Sequence, residues 1–129
     1  MKHQGWPYEF KPKPWDEIHS FLSGMAAQDS QFQYLVDVVQ SVIDSGSVGD
    51  LAATTSMHDL VVVAFPVPEP PFGVVIVRAP GSIANPPLGN VIIEHISGVG
   101  RDDKIQRPAA ETVALFWRFM IEKFGVSAR

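Results

Sequence analysis

Two short pairs of residues carry the side chains best suited to chemistry in this sequence, His58-Asp59 and Glu94-His95. Each pair lies beside a run of branched aliphatic residues typical of a buried strand. Two imidazoles and two carboxylates could form a metal site without cysteine or a general acid–base pair. Adjacent strand residues point to opposite faces, so only one member of each pair can reach a shared pocket. If the protein is an enzyme, its catalytic residues are expected among these four. Otherwise we expect Asp59 or His58 to cap a strand entry, and Glu94 and His95 to bond to loop backbone at a strand end.

Other catalytic patterns are incomplete. The segment GSVG (46–49) lacks the spacing of a nucleophile elbow, and GVGRDD (98–103) has Asp103 in the place of the third glycine of a dinucleotide-binding loop. The chain contains no cysteine, which excludes disulfides, thiolate nucleophiles and cysteine zinc sites. We therefore predict no cofactor and no metal.

The composition is that of one globular domain. The 129 residues are 46% hydrophobic and 19% charged, which is typical of a folded chain with a sizeable core. A net charge of −4 argues against nucleic acid or an anionic membrane as a partner. The sequence shows neither a signal peptide nor an apolar run approaching the ~20 residues of a membrane helix. We predict a soluble, cytoplasmic protein.

The order of apolar patterns predicts an α+β fold. Prolines and alternating aromatics in residues 1–14 indicate an extended arm, which precedes a single domain over 15–129. Helical spacing predicts two helices before the strands and one after them, and Ser30 with Gln33 fits a capping box for the second helix. Proline-rich loops separate the strand candidates. The predicted order is ααβββα, with a three-stranded antiparallel meander packed against the helices. The strand candidates are 57–65, 72–79 and 90–97.

Both faces of the predicted sheet are apolar, because the strand candidates do not alternate with polar residues. Either the three helices divide between the two faces, with the arm helping to cover one, or one face is an interface with a partner. Aromatic residues on the arm and on the last helix are the candidates for interaction. They are Trp6, Tyr8, Phe10, Trp117 and Phe119.

The segment GVGRDDKIQRPAAETVAL (98–115) resembles the end of a double-stranded-RNA-binding domain, in which a glycine turn and basic residues follow a three-stranded meander. The resemblance implies RNA contacts from Lys104 and Arg107. The pattern departs at Asp102 and Asp103, where that family has a hydroxyl and a lysine that bind phosphate, and Pro108 interrupts the helix start. An RNA-binding module is therefore the remotest of the functions considered.

Two classes of function remain. The first is a non-enzymatic binding protein that acts through an acidic or apolar surface, as small adaptors and bacterial immunity proteins do, with a protein partner or a second copy of itself; the likeness to them is one of composition. The alternative is a small enzyme or ligand carrier with a pocket near His58 and His95. The absence of reactive motifs favours the first, and it predicts that replacing either histidine with alanine leaves the function intact.

Overall fold

The chain is an α+β fold built on one five-stranded antiparallel sheet. The computed structural model describes residues 10–69, 72–82, 84–97 and 102–128. The strands lie side by side in chain order, so the sheet is a meander. The helices are α1 (Trp15–Gln28), α2 (Gln33–Asp44) and α3 (Thr112–Phe119), and the strands are β1 (Leu51–Ser56), β2 (Asp59–Ala64), β3 (Val74–Val77), β4 (Asn90–Ile96) and β5 (Asp103–Pro108).

The predicted α+β class and the antiparallel pairing of the strands are confirmed, but the predicted three-stranded meander and ααβββα order are wrong because two strands were missed. β1 has the sequence LAATTS and β5 the sequence DKIQRP, and neither contains a run of branched aliphatics. Both are edge strands, where side chains are less buried than in the centre of a sheet and polar residues are common. Hydrophobic patterning therefore found β2, β3 and β4 alone.

All three helices form one layer on one face of the sheet. α1 contacts β1 and α3 contacts β4, while α2 packs between the two helices. Their apolar stripes meet in a core that includes Leu22, Leu35 and Phe116, each of them fully buried. Within the described parts of the chain, no helix has the length and apolar character needed to cross a bilayer.

The opposite face of the sheet is covered without a helix, so the expectation that the helices divide between the faces is wrong. Phe10, from the end of the arm, packs edge-to-face against Phe72 with ring centroids 6.1 Å apart. Together they cover aliphatic side chains that are buried in the single chain, which removes the bare sheet face as an argument for an interface. The covered side chains are Ala52, Val61, Val63, Val74 and Ile76.

The helix ends follow local rules with one correction. Asp29, and not the predicted Ser30, caps the turn before α2, because its carboxylate accepts a hydrogen bond from the Gln31 amide at 3.0 Å. α3 begins after a 3₁₀ turn and continues as a π-helical turn over Met120–Phe124. Gly125 ends it with a φ of 69°, a left-handed conformation that glycine adopts without strain.

The arm closes one edge of the sheet. The backbone N–H of Lys13 donates to the Ala53 carbonyl at 2.8 Å, and the indole N–H of Trp15 donates to the Leu51 carbonyl at 3.2 Å. The ammonium of Lys13 also donates to the Thr55 hydroxyl at 3.0 Å. Alternate residues of β1 thus find partners on the side away from β2.

Candidate interaction site

Asp59 and Glu94 meet at one guanidinium, that of Arg78. The Arg78 Nη1 lies 2.8 Å from Asp59 Oδ2, and its Nε lies 2.7 Å from Glu94 Oε2. The remaining oxygen of Asp59 accepts a hydrogen bond of 2.6 Å from the Ala79 backbone N–H. Asp59 belongs to β2 and Glu94 to β4, and Arg78 directly follows β3. All three side chains lie on the face away from the helices, because the adjacent Leu60, Val77 and Ile93 belong to the helix-side core.

The guanidinium of Arg78 is stabilised in its charged form by this network. Burial alone lowers the pKa of Arg78, but hydrogen bonds from its guanidinium to Asp59 and Glu94 raise that pKa above its usual value. The Tyr34 hydroxyl donates to the Arg78 carbonyl at 2.6 Å, and burial together with the charge of Asp59 raises the pKa of Tyr34. A carboxylate committed to a guanidinium is a poor general base, so the network acts as a structural link between β2, β3 and β4.

His58 lies in the two-residue turn between β1 and β2. Both turn residues, Met57 and His58, have positive φ values, of 51° and 76°, as this type of hairpin turn requires. The His58 ring stacks on Phe21 of α1 with centroids 5.7 Å apart, and it meets Phe32 edge-to-face at 6.1 Å. Its contacts are aromatic, and they fasten the hairpin to the helical layer.

His95 lies at the other end of the sheet. It pairs across the strands with Asp103, whose carboxylate is ion-paired with Lys123, and its ring meets Phe124 edge-to-face at 6.4 Å. Burial, followed by the positive charge of Lys123, lowers the pKa of His95. Its Nδ1 is buried and has no hydrogen-bond partner among the described residues.

The two histidines do not share a pocket. Asp59, beside His58, lies level with Arg78, whereas His95 lies level with Val75, three residues away along β3. Three residues of a strand span roughly 10 Å, and two strand spacings separate β2 from β4. Among the described residues, no group of three metal-ligating side chains comes together.

A groove between β5 and α3 brings apolar and charged side chains together at the free edge of the sheet. Its volume is about 240 Å³. Ile105 from β5 packs against the helical core, and Leu115 and Phe119 from α3 are buried beside it. The charged residues that line the groove are Asp103, Lys104, Arg118 and Glu122.

The backbone of β5 presents peptide groups along this groove that no described strand pairs with. The Arg78 N–H donates to the Ile92 carbonyl, so the peptide groups of Ile92 point toward β3. Those of Ile93 therefore point toward β5, where Ile93 pairs with Ile105. By the same alternation, the N–H and C=O of Lys104 and Gln106 point away from the sheet. No other described strand lies against them.

A larger groove, of about 350 Å³, runs between the start of α2 and the proline-rich loop before β4. Pro86, Pro87 and the exposed Leu88 line one side of it, and Tyr34 lines the other. The Tyr34 hydroxyl is already bonded to the Arg78 carbonyl. This groove is lined mainly by helix and loop residues and not by the edge of a strand, so the β5 edge is the stronger candidate.

The predicted interaction residues fall in different places. Trp6 and Tyr8 lie outside the described residues, and Phe10 covers the second sheet face. Trp117 is partly buried between helices, where its indole N–H donates to the Ser41 hydroxyl at 3.0 Å. Phe119 is 8% exposed and lines the groove beside β5. The structure therefore places one predicted interaction residue, Phe119, at the candidate site.

Sequence reasoning missed Arg78 and the whole of β5. Arg78 had a detectable signal, because it directly follows an apolar strand and two carboxylates beside neighbouring strands need a cation. β5 also had a weak signal, since Ile105 is the one apolar residue in the polar segment DDKIQR, but a single apolar residue does not define a strand. The segment that resembles an RNA-binding domain includes β5. Lys104 and Arg107 therefore lie on the fifth strand of the sheet and not in a segment that follows a three-stranded meander.

No family model, curated protein or solved structure matches the chain.

Proposed function

We propose that this protein is a non-catalytic interaction protein that binds another polypeptide at the edge of β5. The observation that carries the proposal is the row of outward-pointing backbone groups on Lys104 and Gln106, which lies beside an apolar groove. Adding a strand to such an edge satisfies the backbone groups, and an adjacent groove can receive the side chains of the added strand.

The polar residues of the chain support a binding role over a catalytic one. Asp59 and Glu94, the carboxylates suited to acid–base work, are both engaged by Arg78. The ring of His58 packs against the rings of Phe21 and Phe32, and it lies away from His95. These groups stabilise the sheet that presents β5.

Site-specific photo-crosslinking in cells that express the protein tests the proposal. The photoreactive residue p-benzoylphenylalanine replaces exposed Lys104 in one variant and exposed Gln40 of α2 in a matched control. We expect discrete protein adducts from position 104 and none of the same mass from position 40. We also expect Gln106→Pro to remove those adducts, since proline lacks the outward N–H. Equal adducts at both positions, or none at position 104, would overturn the proposal.

A further inference from the structure

We infer that the polypeptide bound at β5 is the β5 strand of a second copy of this chain, paired antiparallel about a two-fold axis at Ile105. The inference rests on the proposed function, since it names the occupant of the same edge. The surface differs from the apolar sheet face considered from the sequence, because that face is covered by the chain itself. The two sheets would join into one continuous sheet.

The directions of the peptide groups limit the registers that are possible. Antiparallel pairing needs an outward-pointing residue opposite an outward-pointing residue. In β5 these are Lys104 and Gln106, and Pro108, which has no N–H to donate. The two-fold axis can therefore lie at any residue from 104 to 108.

The side chains select one of these registers. An axis at Lys104 places Lys104 opposite Lys104 of the second copy, which is a like-charge pair and destabilising. An axis at any residue from 106 to 108 places Pro108 opposite an outward-pointing residue, where at least one N–H is missing. An axis at Ile105 places Lys104 opposite Gln106, and the two residues exchange both backbone hydrogen bonds.

The same register brings opposite charges together. With the axis at Ile105, Asp103 of each copy lies directly opposite Arg107 of the other, on the helix side of the sheet. The side chain of Asp103 is 46% exposed although it is ion-paired with Lys123. Arg107 now donates to the neighbouring Gln106 carbonyl at 3.0 Å, an outward group that the second copy would satisfy with a backbone N–H. Opposite charges at directly opposed positions stabilise a strand pair.

The sequence of β5 is complementary to itself when a second copy runs in the opposite direction. Reading DKIQR from either end places acid against base, ammonium against amide and isoleucine against itself. Lys104 thus has two effects. It disfavours one register, and its charge opposes pairing of this edge with unrelated strands. A two-fold interface requires this self-complementarity.

Solution mass measured by light scattering gives the first test. A six-residue edge buries a modest area, so the mass is measured from roughly 1 μM to 1 mM protein, the range in which weak pairs associate. We expect the mass to rise from 14.1 kDa toward twice that value. Arg107→Glu, which opposes Asp103, should weaken dimerisation at least ~tenfold. Lys11→Glu makes the same charge change in the arm and should leave dimerisation unchanged.

Single introduced cysteines then read the register, because the natural chain has no cysteine to compete. Under mild oxidation, Ile105→Cys should form a disulfide dimer, since directly opposed residues lie within disulfide range. Lys104→Cys and Gln106→Cys should each fail alone, because diagonal neighbours are ~7–8 Å apart. Mixed together, those two variants should form a heterodimer, and this result does not depend on altering the partly buried Ile105.

The outcomes separate the two proposals. A monomer at every concentration with no crosslink at β5 would overturn the second copy as occupant, while adducts of a different protein at position 104 would still support the proposed function. A dimer that is unchanged in Arg107→Glu and gives no β5 crosslinks would overturn the inference by placing the contact elsewhere. Crosslinking of Lys104→Cys alone would overturn the register. Loss of all adducts at position 104 would overturn both proposals.

Discussion

The two edges of the sheet are protected differently. At β1, the arm supplies a backbone N–H from Lys13 and an indole N–H from Trp15 to carbonyls that would otherwise face solvent. At β5, the outward groups of Lys104 and Gln106 have no strand beside them among the described residues, and charged side chains line the neighbouring groove. The β1 edge is covered by the arm of the same chain. The β5 edge is exposed, and its charged neighbours limit which strands can pair with it.

This difference shows how a meander can direct association to one place. A sheet whose two edges were both open could extend indefinitely by edge-to-edge pairing. Closing β1 leaves a single edge, and two copies that pair through it use up every open edge. The assembly would therefore stop at two copies, which is how closed symmetry prevents fibres.

The largest effect is expected from a change in the central strands, because both edge strands pair with them. Asp59→Ala leaves Arg78 buried with one carboxylate partner and removes the acceptor of the Ala79 N–H. We expect the free energy of unfolding to fall by roughly 3–5 kcal/mol, the usual result of removing one partner of a buried ion pair.

Chemical denaturation measures this change, and Asp44→Ala, at an exposed carboxylate on α2, is the matched control, with an expected change within about 0.5 kcal/mol. Equal losses in the two variants would mean that the Arg78 network does not hold the central strands.

The next effect concerns the closed edge. Trp15→Ala removes a partly buried indole and its hydrogen bond to Leu51, and we expect a loss of roughly 3 kcal/mol. Trp15→Phe keeps most of the ring and removes the N–H, so we expect a loss of about 1 kcal/mol.

The Phe variant also opens the Leu51 carbonyl, so its solution mass at high concentration should exceed that of the wild type. Thermal unfolding and light scattering measure both results. If Trp15→Phe matches the wild type in both, the arm does not close the β1 edge.

The smallest effect is a pH dependence confined to the β5 side. Because the fold lowers the pKa of His95 below its usual value of 6.5, the unfolded chain binds more protons than the folded chain near that pH. Stability is therefore complete above pH 6.5, and it falls as the pH drops from there through the folded pKa.

Denaturation from pH 7.5 down to pH 5 measures this effect. We expect His95→Gln to flatten the profile, whereas His19→Gln makes the same change on α1, away from β5. Hydrogen exchange should show the loss first at β5 and the π-helical turn that carries Lys123. Identical profiles for the two variants would contradict the assignment to His95.

The amount that could be predicted differs between the centre and the edges of the sheet. β2, β3 and β4 follow from runs of branched aliphatics, because strands buried on both faces need such runs. β1 and β5 each pair with one described strand, and large apolar side chains are few in both. Their own residues therefore carry little strand signal.

The candidate site shows the same limit at the level of single residues. Asp59 and Glu94 stand out as polar residues beside apolar strands, but their distance from each other depends on Arg78 and on the register of β3. Phe119 stands out as an aromatic residue in an apolar helix, whereas the strand that it packs beside has one apolar residue that faces the core, Ile105. Its location at a groove was therefore not predictable from the helix alone.

The sequence by itself determined the α+β class, the antiparallel arrangement of the central strands, the apolar character of both sheet faces and the exclusion of cysteine chemistry. These follow from composition and from periodicity over neighbouring residues. Only the tertiary structure decided that the helices share one face, that the arm closes one edge and that Lys104 and Gln106 point outward at the other. Each of these depends on pairing between residues far apart in the chain, and the free energy of such pairing comes from contacts that local patterns do not record.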